Sequence, residues 1–173
     1  MNKLTFRKTL MKDIDKVMEI YNDARAFMRE NGNPKQWEGG HPAKNMILED
    51  IEIGRNYVCE CDGEIAAVFM FETKPDESYE KIYDGNWKNT KPYGVIHRIA
   101  VSKNMHGKGL AKACFDFCKS ECIKNGVTNL KIDTHEDNLP MQKALLKYGF
   151  SYCGIVYIYG VLKRMAYQFV ISD

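Results

Sequence analysis

Apolar positions along the chain change period several times, and each change predicts an element. Leu4–Lys8 alternates weakly, as a short strand does. Ile14, Val17, Met18, Tyr21, Ala24 and Met28 then recur at helical spacing and predict a helix over 11–30, stopped by Asn31-Gly32-Asn33-Pro34. After a loop with Gln36, Trp37, Gly39 and Gly40, Pro42 suits the first turn of a second helix that Gly54 closes. Asn56–Cys61 and Glu64–Glu72 read as two strands of a hairpin about Asp62-Gly63, residues that tolerate the positive φ of a tight turn. A polar insert with aromatic residues, 73–91, precedes an apolar strand over 93–101. Beyond it come an amphipathic helix over 108–125 ended by Asn125-Gly126, a strand at Asn129–Thr134, and a helix from the N-cap Asn138 to Gly149. In that last helix Met141, Ala144, Leu145 and Tyr148 share a face. Strands over 152–159 and 164–171, joined by a turn at Gly160, finish the chain. The resulting order, β-α-α-β-β-β-α-β-α-β-β, predicts an α+β protein with one mixed sheet, no repeats and no linker.

Length and composition narrow the class. At 173 residues the chain has room for one domain, expected to span 1–173. Hydrophobic residues at 45% and charged residues at 28% are ordinary for a folded domain and exclude disorder. A formal net charge of +2 gives no bulk electrostatic case for nucleic acid or a membrane surface, so neither is an expected partner. The longest uncharged apolar run, 65–71, is far short of the ~20 residues that span a bilayer, and Met1-Asn2-Lys3-Leu4-Thr5 offers no secretory signal. A cytoplasmic location is expected. Charge is uneven nonetheless: residues 49–80 carry ten acids against Arg55 and Lys74, which suits a cationic substrate or simply a solvated surface.

The six cysteines fit a reducing compartment. Cys59 and Cys61 lie two apart in a strand, on one face about 6–7 Å apart, where a disulfide would be strained. Cys114, Cys118 and Cys122 recur every four residues with Leu110 and Phe117, as small core residues of a helix do, and a metal site would need a fourth ligand; none is expected.

The chemistry-bearing stretch is Ile96-His97-Arg98-Ile99-Ala100-Val101 followed by Asn104-Met105-His106-Gly107-Lys108-Gly109-Leu110-Ala111. An apolar strand enters a loop in which Gly-x-Gly opens a helix. Glycines let the backbone turn and approach a ligand closely, and the unpaired N–H groups of a first helical turn attract an anion. A Walker A loop does not fit these residues. Nor does a dinucleotide fingerprint, which would want a third glycine or alanine where Lys112 stands. Strand, glycine loop and helix together resemble motif A of the GNAT superfamily of acetyl-CoA-dependent N-acetyltransferases. Asn138, eleven residues before Gly149-Phe150, is similar to the N…GF signature of the same superfamily.

That resemblance covers essentially the whole chain. It implies the GNAT fold, a central mixed and mostly antiparallel sheet of about seven strands flanked by four helices, with acetyl-CoA as cosubstrate. The main chain of Ile99, Ala100 and Val101 would pair with the pantetheine arm. Backbone N–H groups of His106, Gly107, Lys108, Gly109, Leu110 and Ala111 would hold the pyrophosphate, and Asn138 would hydrogen-bond the pantetheine. Two positions depart from the family pattern. Asn104 stands where Gln or Arg is usual, and Leu145 stands where many members place the tyrosine that protonates the departing thiolate. Tyr148, three residues on, is the candidate replacement. Acetyl transfer also needs a neutral amine, and His135 and His97 are the candidate bases, ahead of Glu136.

The insert 73–91 and the loop around Trp37 bring Trp37, Tyr79, Tyr83 and Trp87 to the expected acceptor side, as lids over a small ligand. Trp37 would serve equally as an anchor of its own loop. The expected activity is transfer of acetyl to a primary amine of a small molecule or peptide. The alternative is a non-catalytic acyl-CoA-binding sensor on the same fold, and a homodimer is left open.

Overall fold

The computed structural model describes residues 3–171. Its main elements are β1 (Leu4–Lys8), α1 (Ile14–Glu30), α2 (Lys44–Ile53), β2 (Asn56–Cys61), β3 (Glu64–Glu72), β4 (Gly94–Val101), α3 (Leu110–Lys124), β5 (Asn129–Thr134), α4 (Leu139–Tyr148), β6 (Ser151–Ile158) and β7 (Leu162–Val170). The strands form one seven-stranded sheet in the order β1-β2-β3-β4-β5-β7-β6. The pairs β1/β2, β2/β3, β5/β7 and β6/β7 are antiparallel, and β4/β5 is parallel. This is the α+β architecture expected. No helix among the described residues is long and apolar enough to cross a membrane.

The chain divides into two compact units: residues up to Phe71 together with Arg98–Phe117, and Glu72–His97 together with residues from Cys118 onward. In the first, the apolar stripe of α1 (Val17, Ile20, Tyr21, Ala24) buries against Ile47, Val58, Val68 and Trp37. The Trp37 ring meets Tyr21 edge to face at 5.6 Å. It is a core anchor for its loop and not a lid, because this apolar cluster removes the indole from water. Phe6 stacks on Phe117 at 4.8 Å, with Phe69 and Tyr57 around them. One boundary moves. Pro42 precedes α2 and does not sit in its first turn, because Ala43 stays extended (ψ 151°) and serves as the N-cap.

In the second unit the insert 73–91 also departs from the lid expected of it, since it is fastened to the strands. The Trp87 indole N–H donates to Tyr79 O, Lys88 N to Gln168 Oε1 and the Asn89 amide to Asn129 Oδ1. Tyr79, Val95, Val156 and Ala166 form the core there, with Ile82, Trp87 and Tyr93 packed on it. Gly85 is required by close approach: a Cβ would lie 2.0 Å from the carbonyl oxygen of Cys153. Lys131, buried on β5, holds its ammonium 3.9 Å from the centroids of both Trp87 and Tyr93, and burial lowers its pKa to about 8. Buried aromatic and amide contacts therefore replace the mobility a lid would need.

All six cysteines are buried thiols outside any disulfide, and Cys114, Cys118 and Cys122 line the buried face of α3 as expected. Burial pushes the Cys59 thiol up to about 11, which keeps it protonated and unreactive at neutral pH.

Candidate active site

In the first unit β4 leads through a short 3-10 turn (Lys103–Met105) to the glycine loop. Gly107 and Gly109 have φ of +76° and +78°, so the expected helical start at 108 gives way to a turn and α3 begins at Leu110. A Cβ at either glycine would meet nothing within 4 Å. The required residue type is thus set by the dihedral, and the space in front of the turn is open. The first intrahelical bond at this end is Ala113 N to Gly109 O at 3.1 Å, which leaves the amides of Leu110, Ala111 and Lys112 ahead of the ladder. Lys108 N makes a long 3.4 Å contact with Met105 O, and the His106 ring lies 3.1 Å from Val101 O through Nε2. An open glycine turn feeding a helix N-terminus suits a diphosphate, with about 0.3–1 kcal/mol from the dipole per contact. The residues present fit the diphosphate of coenzyme A.

In the second unit His97 lies between two carboxylates. Its Nε2 is 2.6 Å from Asp76 Oδ2 and its Nδ1 is 3.4 Å from Asp133 Oδ2. Tyr79 donates its hydroxyl to the same Asp133 oxygen at 2.7 Å, and Arg164 Nε lies 3.9 Å from the other. Burial opposes the imidazolium, but the hydrogen bonds and charges of Asp133 and Asp76 outweigh it, and the His97 pKa rises to about 9. For Asp76, too, burial is the larger cause and raises its pKa, but the His97 bonds lower it below the usual carboxylate range. Burial and the Asp133 charge hold Tyr79 well above the ordinary phenol value, so it stays a donor. The cluster is an ionised, hydrogen-bonded unit built around one basic imidazole.

The other candidates sit elsewhere in the second unit. The His135 Nδ1 accepts from Asp137 N at 3.1 Å, which places the ring in the turn before α4. Glu136 pairs at 3.4 Å with Lys163, both exposed. Asn138 is the N-cap of α4 as expected, its Oδ1 accepting from Met141 N at 3.2 Å. Leu145 is fully buried and supplies no donor. The Tyr148 ring packs on Phe150 and Phe169, with centroids 5.7 and 5.2 Å away.

Sequence reasoning did not find the partners that define the His97 cluster. Asp76 sat unmarked among the acids of 49–80, and Tyr79 was expected on a lid. The signal available for Asp133 was strand alternation, which puts it on the same face of β5 as Lys131. Arg98 was also passed over. It is a non-glycine residue with φ +52° inside a strand, and nothing in its local sequence marks it.

Comparison with known proteins points one way. A sequence model of the acetyltransferase (GNAT) family matches residues 15–150. The crystal structure of a GNAT-family acetyltransferase from Streptococcus agalactiae 2603 superposes with a TM-score of 0.86 and 33% identity, covering 98% of this chain and 96% of that one. The uncharacterized N-acetyltransferase YesJ of Bacillus subtilis (strain 168) is 23% identical over 145 residues, 83% of this chain and 79% of its own. A structure of yncA from Salmonella typhimurium with its cofactor acetyl-CoA gives a TM-score of 0.65 at 15% identity, covering 98% of this chain and 95% of that one; at that identity the likeness is one of fold.

Proposed function

Because the chain belongs to the GNAT acetyltransferase family, we propose that it moves the acetyl group of acetyl-CoA directly to a primary amine of a small molecule or peptide. The observation that carries this reading is the open Gly107–Gly109 turn running into the N-terminus of α3. When bound, acetyl-CoA supplies an activated thioester. The amides of His106, Gly107, Gly109, Leu110 and Ala111 hold its diphosphate, with Lys108 and Lys112 adding formal charge. The main chain of Ile99, Ala100 and Val101 pairs with the pantetheine arm, and Asn138 hydrogen-bonds it. Binding both reactants in register supplies most of the rate.

The acceptor arrives mostly as an ammonium, with a pKa near about 10.4. One proton leaves it for the neutral His97–Asp76 pair, entering at the Asp76 carboxylate and passing to His97 Nε2, which lies 2.6 Å from Asp76 Oδ2, while Asp133, held by Tyr79, flanks the resulting imidazolium at Nδ1. A His97 pKa of about 9 makes this a much stronger base than ordinary imidazole, within two units of the amine it serves. His135 is the second candidate for that proton. The second amine proton goes to the departing thiolate, which leaves as the free thiol. Tyr148 or water delivers it, the thiol pKa of about 8.5 making either sufficient. Tyr148→Phe keeps the aromatic packing and separates the two: a kcat lowered about tenfold at constant melting temperature assigns the step to the tyrosine, and an unchanged kcat assigns it to water.

The testing experiment follows free thiol released from acetyl-CoA across polyamines, aminoglycosides, amino acids and peptide N-termini. Amine-dependent release is the expected result. The buried Leu145 in place of the usual tyrosine favours one other reading, a non-catalytic acyl-CoA sensor, which tight binding without release would support. Asn138→Ala should raise the KM for acetyl-CoA about threefold to tenfold and remove about 1 kcal/mol of stability with the cap. Substrate kinetics and thermal melting check the two effects separately.

A further inference from the structure

Lys131 stands out in the core of the second unit. It is only 4% exposed, and among the described residues its ammonium has two aromatic rings and no carboxylate for partners. A lysine buried without a counter-ion is rare, because its charge loses hydration with nothing of opposite sign to offset the loss. Packing alone would be served as well by an apolar side chain. The rings of Trp87 and Tyr93 are placed to take the charge, each with its centroid 3.9 Å from Nζ, on the electron-rich faces that attract a cation.

Each ring also begins a chain of contacts that ends on His97. The Trp87 indole N–H donates to Tyr79 O at 2.9 Å, and the Tyr79 hydroxyl donates to Asp133 Oδ2 at 2.7 Å. The Tyr93 hydroxyl accepts from Asp76 N at 3.0 Å. Asp133 and Asp76 are the two carboxylates that flank the His97 ring, 3.4 Å from Nδ1 and 2.6 Å from Nε2. The Tyr79 ring borders all three other rings, with centroids 5.4 Å from Trp87, 6.3 Å from Tyr93 and 5.7 Å from His97. One ammonium thus grips two rings, and each ring leads to one of the two acids beside the imidazole.

We propose that Lys131 is a positioning residue: its ammonium holds Trp87 and Tyr93 in place and, through Tyr79 and the Asp76 main chain, fixes both carboxylates against His97. The proposal rests on His97 as the base of the reaction described above. It goes beyond that reading by giving a buried lysine and the two aromatic residues around it a part in the site.

The test measures hydrogen exchange of the His97 ring N–H groups by NMR of histidine-labelled protein, their signals being those absent from His97→Gln. At pH 7 both Lys131, with a pKa of about 8, and His97, with a pKa of about 9, carry their protons. Arginine at 131 keeps a cation over the rings, whereas methionine keeps a chain of similar length without the charge. Exchange in Lys131→Arg should stay within about threefold of wild type, and in Lys131→Met it should be at least about tenfold faster, as the carboxylates loosen from the ring. Loss of charge alone acts the other way, because removing a nearby cation strengthens the imidazolium's hold on its protons. Exchange in Lys131→Met as slow as in wild type therefore overturns the proposal, and so does equally fast exchange in Lys131→Arg and Lys131→Met. If either variant fails to fold, Tyr93→Phe decides. It keeps the ring on Lys131, removes the hydroxyl that accepts from Asp76 N, and should speed exchange about fivefold. A normally melting Tyr93→Phe protein that exchanges like wild type overturns the proposal. The measurement needs neither acetyl-CoA nor acceptor, so it is separate from the base reading, which unchanged turnover in His97→Gln would remove.

Discussion

Gly107→Glu should abolish acetyl-CoA binding while the protein still folds. The reasoning starts from the turn itself: at Gly107 a Cβ would find nothing within 4 Å, so the new side chain does not collide with the fold. The φ of +76° makes a non-glycine residue cost about 1–2 kcal/mol. For a protein of this size each kcal/mol lowers the melting temperature by about 2–4 °C, so a melt only a few degrees lower is expected. Binding suffers far more. A carboxylate would stand in front of amides meant for a diphosphate, and two like charges about 4–6 Å apart at an effective dielectric near about 20 repel by roughly 3–4 kcal/mol. That converts to a loss of at least about 100-fold in affinity. Calorimetry on the variant checks it, and wild-type affinity in a folded Gly107→Glu protein would remove the glycine turn from the site.

His97→Gln should lower kcat/KM about 100-fold to 1000-fold with little change in coenzyme A affinity, as expected when a general base is lost and the donor site is left intact. The pH behaviour is more discriminating than the magnitude. With a pKa of about 9, wild-type His97 is mostly protonated at neutral pH, so log kcat/KM should climb by about one per pH unit and bend near 9. The bend should be absent from the variant. Stability runs the opposite way. A histidine whose folded pKa is raised above its unfolded value of 6.5 contributes fully below 6.5, and its contribution disappears as pH rises through about 9. Wild-type melting temperature should therefore fall between about pH 7 and pH 10, and the fall should be shallower in His97→Gln. A melting temperature that rises across that window would mean that His97 is neutral in the fold.

How much of this was legible from residues alone depended on the range of the cause. β1, β2, β3 and β5 start and stop where period and turn residues place them, and Asn138 caps α4 with the side chain that its type suggests. The glycine turn was legible for the same reason: positive φ and a helix start are local properties. The Arg98 conformation was not, because its restraints come from Asp50, 48 residues away, and Tyr21, 77 away, while its own side chain prefers other dihedrals. The insert 73–91 reads as loop by composition. Its rigidity comes from partners as distant as Gln168, 80 residues from Lys88, and from a glycine pressed against the Cys153 carbonyl. His97 was singled out as a titrating residue, but its elevated pKa depends on two carboxylates that spacing does not bring together.

The most direct test of the account is a pair of calorimetric titrations of the wild-type protein, one with coenzyme A and one with pantetheine, which lacks the diphosphate. If main-chain amides at the head of α3 grip that diphosphate, coenzyme A binds saturably and pantetheine at least about 100-fold more weakly. Equal affinities, or no heat with coenzyme A, would contradict the account.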